Sequence, residues 1–221
     1  MNPIIVKRPL SGVVTPLKSK LFSMFQVLVV ALVATSAATV SAMQSPDQVV
    51  RSTVDTMVAK IQANRDAYKA DETKLYKMLE DTLIPSIHMS RMANQILGKT
   101  YARSSTAAQK AEFAEVFKDF ILTTYASGLL SATGKEKVNY KPINLKPGAD
   151  IVKVEAELVS AAGESYPINL YMSNRKDTRW RAFNIEVAGV NFVRNYRSTF
   201  KPVLDQKGIQ GLIADLRRKS S

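Results

Sequence analysis

Few side chains in this 221-residue sequence are equipped for chemistry. His88 is the one histidine, and there is no cysteine. Transition-metal sites are built from clusters of those two residue types, sometimes with carboxylates. One histidine and no carboxylate pair at ligand spacing do not supply such a site. A Ser-His-Asp triad would rest entirely on His88, and no Gly-x-Ser-x-Gly turn is present to offer its serine. The phosphate-cradling patterns Gly-x-Gly-x-x-Gly and Gly-x-x-x-x-Gly-Lys-Ser/Thr are absent as well. Glu155 and Glu157 could form the acid pair of a glycosidase. They share the polar face of a predicted strand, however, and nothing in the sequence sets them in a cleft. His88, between Ile87 and Met89 on a predicted helix, is expected at the helix surface or hydrogen-bonded in place. Catalytic residues are therefore expected to be none.

What the sequence has in surplus is apolar side chains at regular spacing, and their period divides the chain. Ser45-Pro46 is a helix start, with Ser as N-cap and Pro at the first helical position. Val50, Val54, Met57, Ile61 and Tyr68 then form one stripe reaching about Lys69. Asp71 can cap a second helix carrying Leu75, Met78, Leu79 and Leu83, stopped or kinked at Pro85. A third is predicted from Ser86 to Leu97, with Gly98 as its C-terminal cap. Thr106-Ala-Ala-Gln109 is a capping box, opening a helix with Phe113, Phe117, Phe120, Thr124 and Tyr125 along one face.

After Gly134 the period changes from 3.6 to 2. Ile151–Ser160 alternates apolar and charged residues, flanked by Lys137–Leu145, Ser165–Ser173 and Arg179–Val187. Pro142 and Pro167 must then sit at edges or bulges. Two helices are predicted to close the chain, about Asn191–Gln206, disturbed by Pro202, and Ile209–Lys219. The class is α+β: residues 43–133 mostly helical, 134–188 an antiparallel sheet of about four strands, 189–221 helical. The sheet face offers Val152, Val154, Leu158, Ile168, Leu170, Met172, Phe183, Ile185 and Val187 to the helices. These side chains either make an ordinary core or leave a cleft for an apolar ligand.

The first 42 residues are of another kind. Lys7, Arg8, Lys18 and Lys20 precede a run of 22 uncharged residues, Leu21–Ala42, that ends in small side chains with Val40 and Ala42 at the −3 and −1 positions. This is the pattern of a secretory signal cleaved after Ala42; the same run is just long enough to be an uncleaved anchor. Without cysteine, disulfides and a lipidated N-terminus are excluded. The net charge of +12 is uneven. Residues 43–173 carry 16 basic and 15 acidic side chains, whereas residues 174–221 carry 11 and 4. A basic third on an exported protein suggests an anionic partner: a phospholipid surface, a phosphorylated ligand or an acidic protein.

Two blocks of residues resemble a known family. The first is Leu83-Ile-Pro85, Met92-Ala93, Ile96-Leu97-Gly98, Tyr101, the stretch ending at Gln109, Phe113, Phe117 and Tyr125. The second is Trp180-Arg-Ala-Phe183-Asn-Ile185, Gly189-Val190, Tyr196-Arg197, Phe200, Gly208, Gly211-Leu212-Ile213 and Leu216. In order and spacing they are similar to the MlaC family of toluene-tolerance auxiliary proteins. Asn184 stands where the family often has Asp, and Asn191 where Ser is common.

The resemblance implies a twisted antiparallel sheet forming a cone with packed helices, plus a small helical subdomain. It implies a periplasmic phospholipid carrier with no cofactor, serving outer-membrane lipid asymmetry. Its partners would be an outer-membrane lipoprotein–porin complex and an inner-membrane ABC transporter bearing an MCE-domain subunit. Period and order then nominate Phe117, Phe120, Tyr125, Leu170, Trp180, Phe183 and Ile185 for an acyl-chain cleft, with Val190 and Val193 nearest its mouth. Arg194, Arg197 and Lys201 are nominated for head-group or partner docking. Two alternatives stay open. One is a carrier of a hopanoid or steroid-like lipid. The other is a cone-fold isomerase or dehydratase using a buried acid such as Asp150 or Glu186.

Overall fold

The computed structural model describes residues 43–131, 135–175 and 177–220. The predicted export signal lies outside them. Helix α1 is Pro46–Ala70, with the Ser45 amide donating to Gln48 Oε1 at its start. It bends at Asn64, whose side-chain amide donates to the Lys60 carbonyl. Helix α2, Glu72–Thr82, is capped by Asp71, whose carboxylate accepts from the Thr73 amide at 3.0 Å. Pro85 falls in a 3₁₀ turn, Ile84–Ser86. Helix α3 is Met89–Ser104, so His88 is its N-cap and not a residue within it. The reason is tertiary: the His88 amide donates to the Ala182 carbonyl at 2.8 Å, which ties the chain to β4 with Ile87 extended and His88 outside helical geometry. Gly98 does not end α3. It takes φ +71 and kinks the helix, which resumes to Ser104. Helix α4, Ala107–Leu130, opens on the predicted capping box, with Gln109 N to Thr106 Oγ1 at 3.1 Å and Thr106 N to Gln109 Oε1 at 2.9 Å.

The sheet is antiparallel throughout, in the order β1 (Lys137–Tyr140), β2 (Ile151–Val159), β3 (Ser165–Ser173), β4 (Arg181–Val187) and β5 (Val190–Asn191). The α+β class is as expected, with one more strand, a two-residue return after the Ala188-Gly189 turn. Strand β1 stops at Tyr140, two residues before Pro142, which has no amide to donate. Pro167 stands in β3, yet breaks no ladder. In antiparallel pairs a residue's N–H and C=O face the same neighbour. The Pro167 carbonyl takes the Ala188 amide beyond the last β3–β4 partner pair, so the missing donor falls where β4 has already turned.

Helix α5, Phe192–Ser220, runs straight through Pro202 and breaks only at Gly208, where φ is +64. Pro202 and Ser198 are both exposed, so the carbonyl that loses its helical donor meets water. The break explains a second glycine. A Cβ on Gly211 would lie 2.2 Å from Lys207 Cβ, a separation no packed carbons tolerate.

Among the described residues, buried apolar side chains form three clusters. The first joins α3, α4 and α5 around Phe113, Phe117 and Phe200. The second joins α1, α2 and the C-terminal half of α4 around Leu75, Leu79, Leu122 and Ala126. The third lies on the sheet, with Val154, Met172 and Trp180 against Val50 of α1. Helix propensity alone favours alanine over glycine inside a helix by about 1 kcal/mol. We expect Gly211→Ala to lower the urea unfolding midpoint, because the new methyl must displace the Lys207 side chain at its base. A raised midpoint contradicts this.

Candidate functional site: an apolar cavity where three cores meet

The three clusters do not merge. Where they approach one another a cavity of 310 Å³ remains, walled by members of all three or by residues packed against them. Helix α4 supplies Ile121, Leu122, Tyr125 and Leu129, which share one face because they recur at three- to four-residue spacing. Leu83, Ile84 and Ile87 come from the 3₁₀ turn and its flanks, Met89 and Met92 from α3, Met57 from α1 and Phe192 from the start of α5. The sheet supplies Leu170, Ala182 and Ile185. Leu170 and Ile185 are direct partners across β3 and β4, so their side chains stand together on one face. Ala182 also holds the edge contact: Ile87 bridges to it in parallel and His88 donates to its carbonyl, anchoring the start of α3 to β4.

Each polar residue in this wall makes at least one bond within the protein. Asn184 Oδ1 accepts the Val193 amide at 3.2 Å, and Asn191 Oδ1 accepts the Arg194 amide at 3.0 Å, so two asparagines cap α5. Ser86 Oγ donates to the Leu83 carbonyl. Lys118 lays its stem along the cavity and sends Nζ to Glu80 at 2.6 Å, Glu115 at 3.0 Å and Asp119 at 3.5 Å. Burial alone would lower its pKa. The bonds to Glu80 and Glu115 and the charge of Asp119 outweigh burial, raise it and keep the ammonium charged. Tyr125 and Tyr196 share a hydroxyl–hydroxyl bond of 2.9 Å, and burial with that bond pushes Tyr196 up. A ligand entering this space meets hydrocarbon.

Of the nine side chains nominated from sequence, Tyr125, Leu170 and Ile185 line the cavity. Phe117 is wholly buried among five other rings of the first cluster, and Phe120 packs against the same group. Trp180 belongs to the sheet cluster. Phe183 occupies a β-bulge opposite Tyr171 and Met172, with the Arg91 guanidinium 3.7 Å over its ring. Val190 is 60% exposed on β5, whereas Val193 is 4% exposed within the helical core. Phe192, between them, is the one that reaches the cavity wall. Among the nominated cations, Lys201 pairs with Asp205, and Arg197 Nε donates to the Gln95 carbonyl at 2.8 Å. Arg194 is exposed. Sequence period does not nominate the turn Leu83–Ile87 or Ile121, which also line the cavity. A short apolar stretch around Pro85, between two amphipathic helices, is the signal that points to the turn.

His88 is satisfied through Ser90 Oγ, 3.2 Å from Nδ1. Burial first, then the nearby Arg181 and Arg91 charges, lower its pKa, so the ring is neutral at pH 7. Asp150 is ion-paired with Arg175 at 2.6 Å, and Glu186 accepts from Asn169 at 3.2 Å. Among the described residues no carboxylate and no histidine lines the apolar cavity.

These placements separate two neighbours on one element. A carboxylate at the Val193 position enters a closed core and costs several kcal/mol; Val193→Glu should therefore unfold or fail to accumulate. Val190→Glu faces water and should change stability by less than about 0.5 kcal/mol. Thermal melts of the two variants read this directly, and equal stabilities would contradict the assignment.

Comparison with known proteins agrees with this architecture. The family described as MlaC protein matches residues 51–218. The intermembrane phospholipid transport system binding protein MlaC of Haemophilus influenzae is 24% identical over 180 residues, covering 80% of this chain and 83% of that protein. The toluene tolerance protein ttg2D of Pseudomonas putida is 26% identical over 181 residues, 82% of each chain. A phospholipid-binding protein from Ralstonia solanacearum, solved in complex with a phospholipid, has the same fold, with a TM-score of 0.72 at 20% identity over 80% of this chain and 97% of that one. With the family match spanning nearly every described residue, this chain belongs to the MlaC family.

Proposed function

We propose that the protein is a periplasmic phospholipid carrier that holds acyl chains in the cavity between α4, the Leu83–Ile87 turn and the sheet. The observation that carries this reading is the cavity wall itself: apolar side chains from three cores, with Ser86, Lys118, Tyr125 and Asn184 each bonded within the protein. The names of the two sequence relatives and the bound lipid of the Ralstonia protein support the same ligand class. In this reading residues 1–42 direct export and are removed after Ala42. The carrier then exchanges lipid with an outer-membrane lipoprotein–porin complex and an inner-membrane ABC transporter with an MCE-domain subunit. It performs no covalent chemistry; the isomerase or dehydratase alternative needs an acid or base in the cavity, and Asp150 and Glu186 lie outside its wall.

The energetics favour a carrier. A phospholipid with about 30 chain methylenes loses roughly 24 kcal/mol if its tails stand in water. A protein wall as apolar as the bilayer removes that barrier without holding the lipid too tightly to release it. A methylene fills about the volume of a water molecule in the liquid, roughly 30 Å³. The cavity of 310 Å³ thus accepts about ten such groups, and a two-chain lipid requires the sheet and α4 to move apart.

Native mass spectrometry of protein recovered from the periplasm tests the whole reading. The expected species begins at Met43 and carries one phospholipid. The mass of the adduct also tells a phospholipid from a hopanoid or steroid-like lipid. Ile185→Trp, which fills the cavity from a half-buried position, should remain folded and lose most of the adduct. Lipid at wild-type occupancy in that variant, or protein that never carries lipid, contradicts the proposal.

A further inference from the structure

A second concavity runs along α3 and shares no wall residue with the apolar cavity. It is an open groove of 820 Å³ whose walls carry Arg91, Lys99, Arg103, Arg175 and Arg197, with His88 at one end. Among the described residues no carboxylate lines it; Asp150 reaches Arg175 from outside the wall. Three of the cations are held in place. Arg91 lies on the Phe183 ring, Arg197 is bonded to the Gln95 carbonyl, and Arg175 is bonded to Asp150. Lys99 and Arg103 are exposed and have no ion-pair partner among the described residues. Collecting five positive charges in one recess raises their mutual repulsion, and the burial of Arg91 beside Arg175 lowers its pKa accordingly.

The shape of the groove selects among anions. From His88 it follows roughly 15 Å of helix to the kink at Gly98 and about 7 Å beyond it to Arg103, at 1.5 Å per residue. One phosphate or lipid head group is too small to answer charges spread over that length. A bilayer surface is flat and does not enter a recess. An extended peptide fits both demands. Its same-side residues recur every ~6.6 Å, close to the ~6 Å rise between Lys99 and Arg103 at i and i+4. About six extended residues span the groove.

We infer that this groove docks an extended acidic segment of a partner protein, with carboxylates at alternate positions. This reading is independent of lipid carriage. Electrostatic docking of this kind is governed by charge and weakened by salt.

The test uses a fluorescein-labelled octapeptide of alternating Asp and Ser, its Asn-Ser counterpart, inorganic phosphate and phosphatidylglycerol vesicles. Fluorescence anisotropy of the purified protein should show binding of the acidic peptide alone, weakening steeply between 50 and 500 mM NaCl, conditions set by the scale of charge screening. Lys99→Glu with Arg103→Glu should weaken it at least tenfold, and the Gln pair at the same positions should weaken it several-fold. Lys60→Glu with Lys69→Glu, the same charge change on exposed sites of α1, should leave it within twofold. Lipid occupancy should be unchanged in all of these variants, which separates this result from any failure of the carrier reading. Equal binding of the Asn-Ser peptide, or an unchanged affinity in the Lys99/Arg103 variants, overturns the inference. Saturation by phosphate or vesicles with no peptide binding overturns it too, making the groove a small-anion or membrane site.

Discussion

Phe117 makes ring contacts with Phe113, Phe120, Phe192, Tyr196 and Phe200, at centroid separations of 5.3 to 6.4 Å. Each such pair adds about 0.5–1.5 kcal/mol beyond the area it buries, and the contacts with Phe192, Tyr196 and Phe200 bind α4 to α5. The cavity depends on that attachment. Helix α4 spends its first half on the ring cluster and its last turns on Leu75 and Leu79 of α2. The face between, with Ile121, Tyr125 and Leu129, is turned toward the sheet without closing on it. A single merged core would have filled this space; three cores sharing one helix leave it open.

The same arrangement separates firm parts from yielding ones. The sheet is anchored to the helices at points that include the Ile87–Ala182 bridge with the His88 bond to the Ala182 carbonyl, the Arg91 guanidinium on Phe183, the Asn184 cap on α5, and Val50 against Trp180. Among the described residues no hydrogen bond joins the helical and sheet walls of the cavity apart from these anchors. Under the proposed function, opening that seam exposes apolar surface only until a lipid tail replaces it, whereas opening the ring cluster exposes it to water. The ion pairs of Lys118 with Glu80 tie α4 to α2 on the far side of the seam and keep that ammonium out of the ligand space.

Much of this was legible in the sequence for simple reasons. The caps at Thr106 and Asp71 are local, as is the two-residue period of β2 and β3, and local signals survive folding. The sequence nominates Phe117 and Trp180 for a cleft because period shows which face is apolar; it does not show whether that face meets a wall or an empty space. Val190, Phe192 and Val193 illustrate the limit. The Ala188-Gly189 turn and the Asn184 bond to the Val193 amide set the first turn of α5, and a one-residue change of phase selects Phe192. The cationic groove was invisible for a related reason. Its charges come from α3, the β3–β4 connection and α5, and the surplus of residues 174–221 explains only two of the five.

The central claim is that acyl chains occupy the seam between α4 and the sheet. Photo-crosslinking with a phospholipid bearing a diazirine midway along one chain, followed by peptide mapping, tests it most directly. The account predicts adducts on Ile121, Leu129, Leu170 and Ile185 and on the Leu83–Ile87 turn. Adducts confined to the groove from His88 to Arg103, or spread over exposed residues without preference, would contradict it.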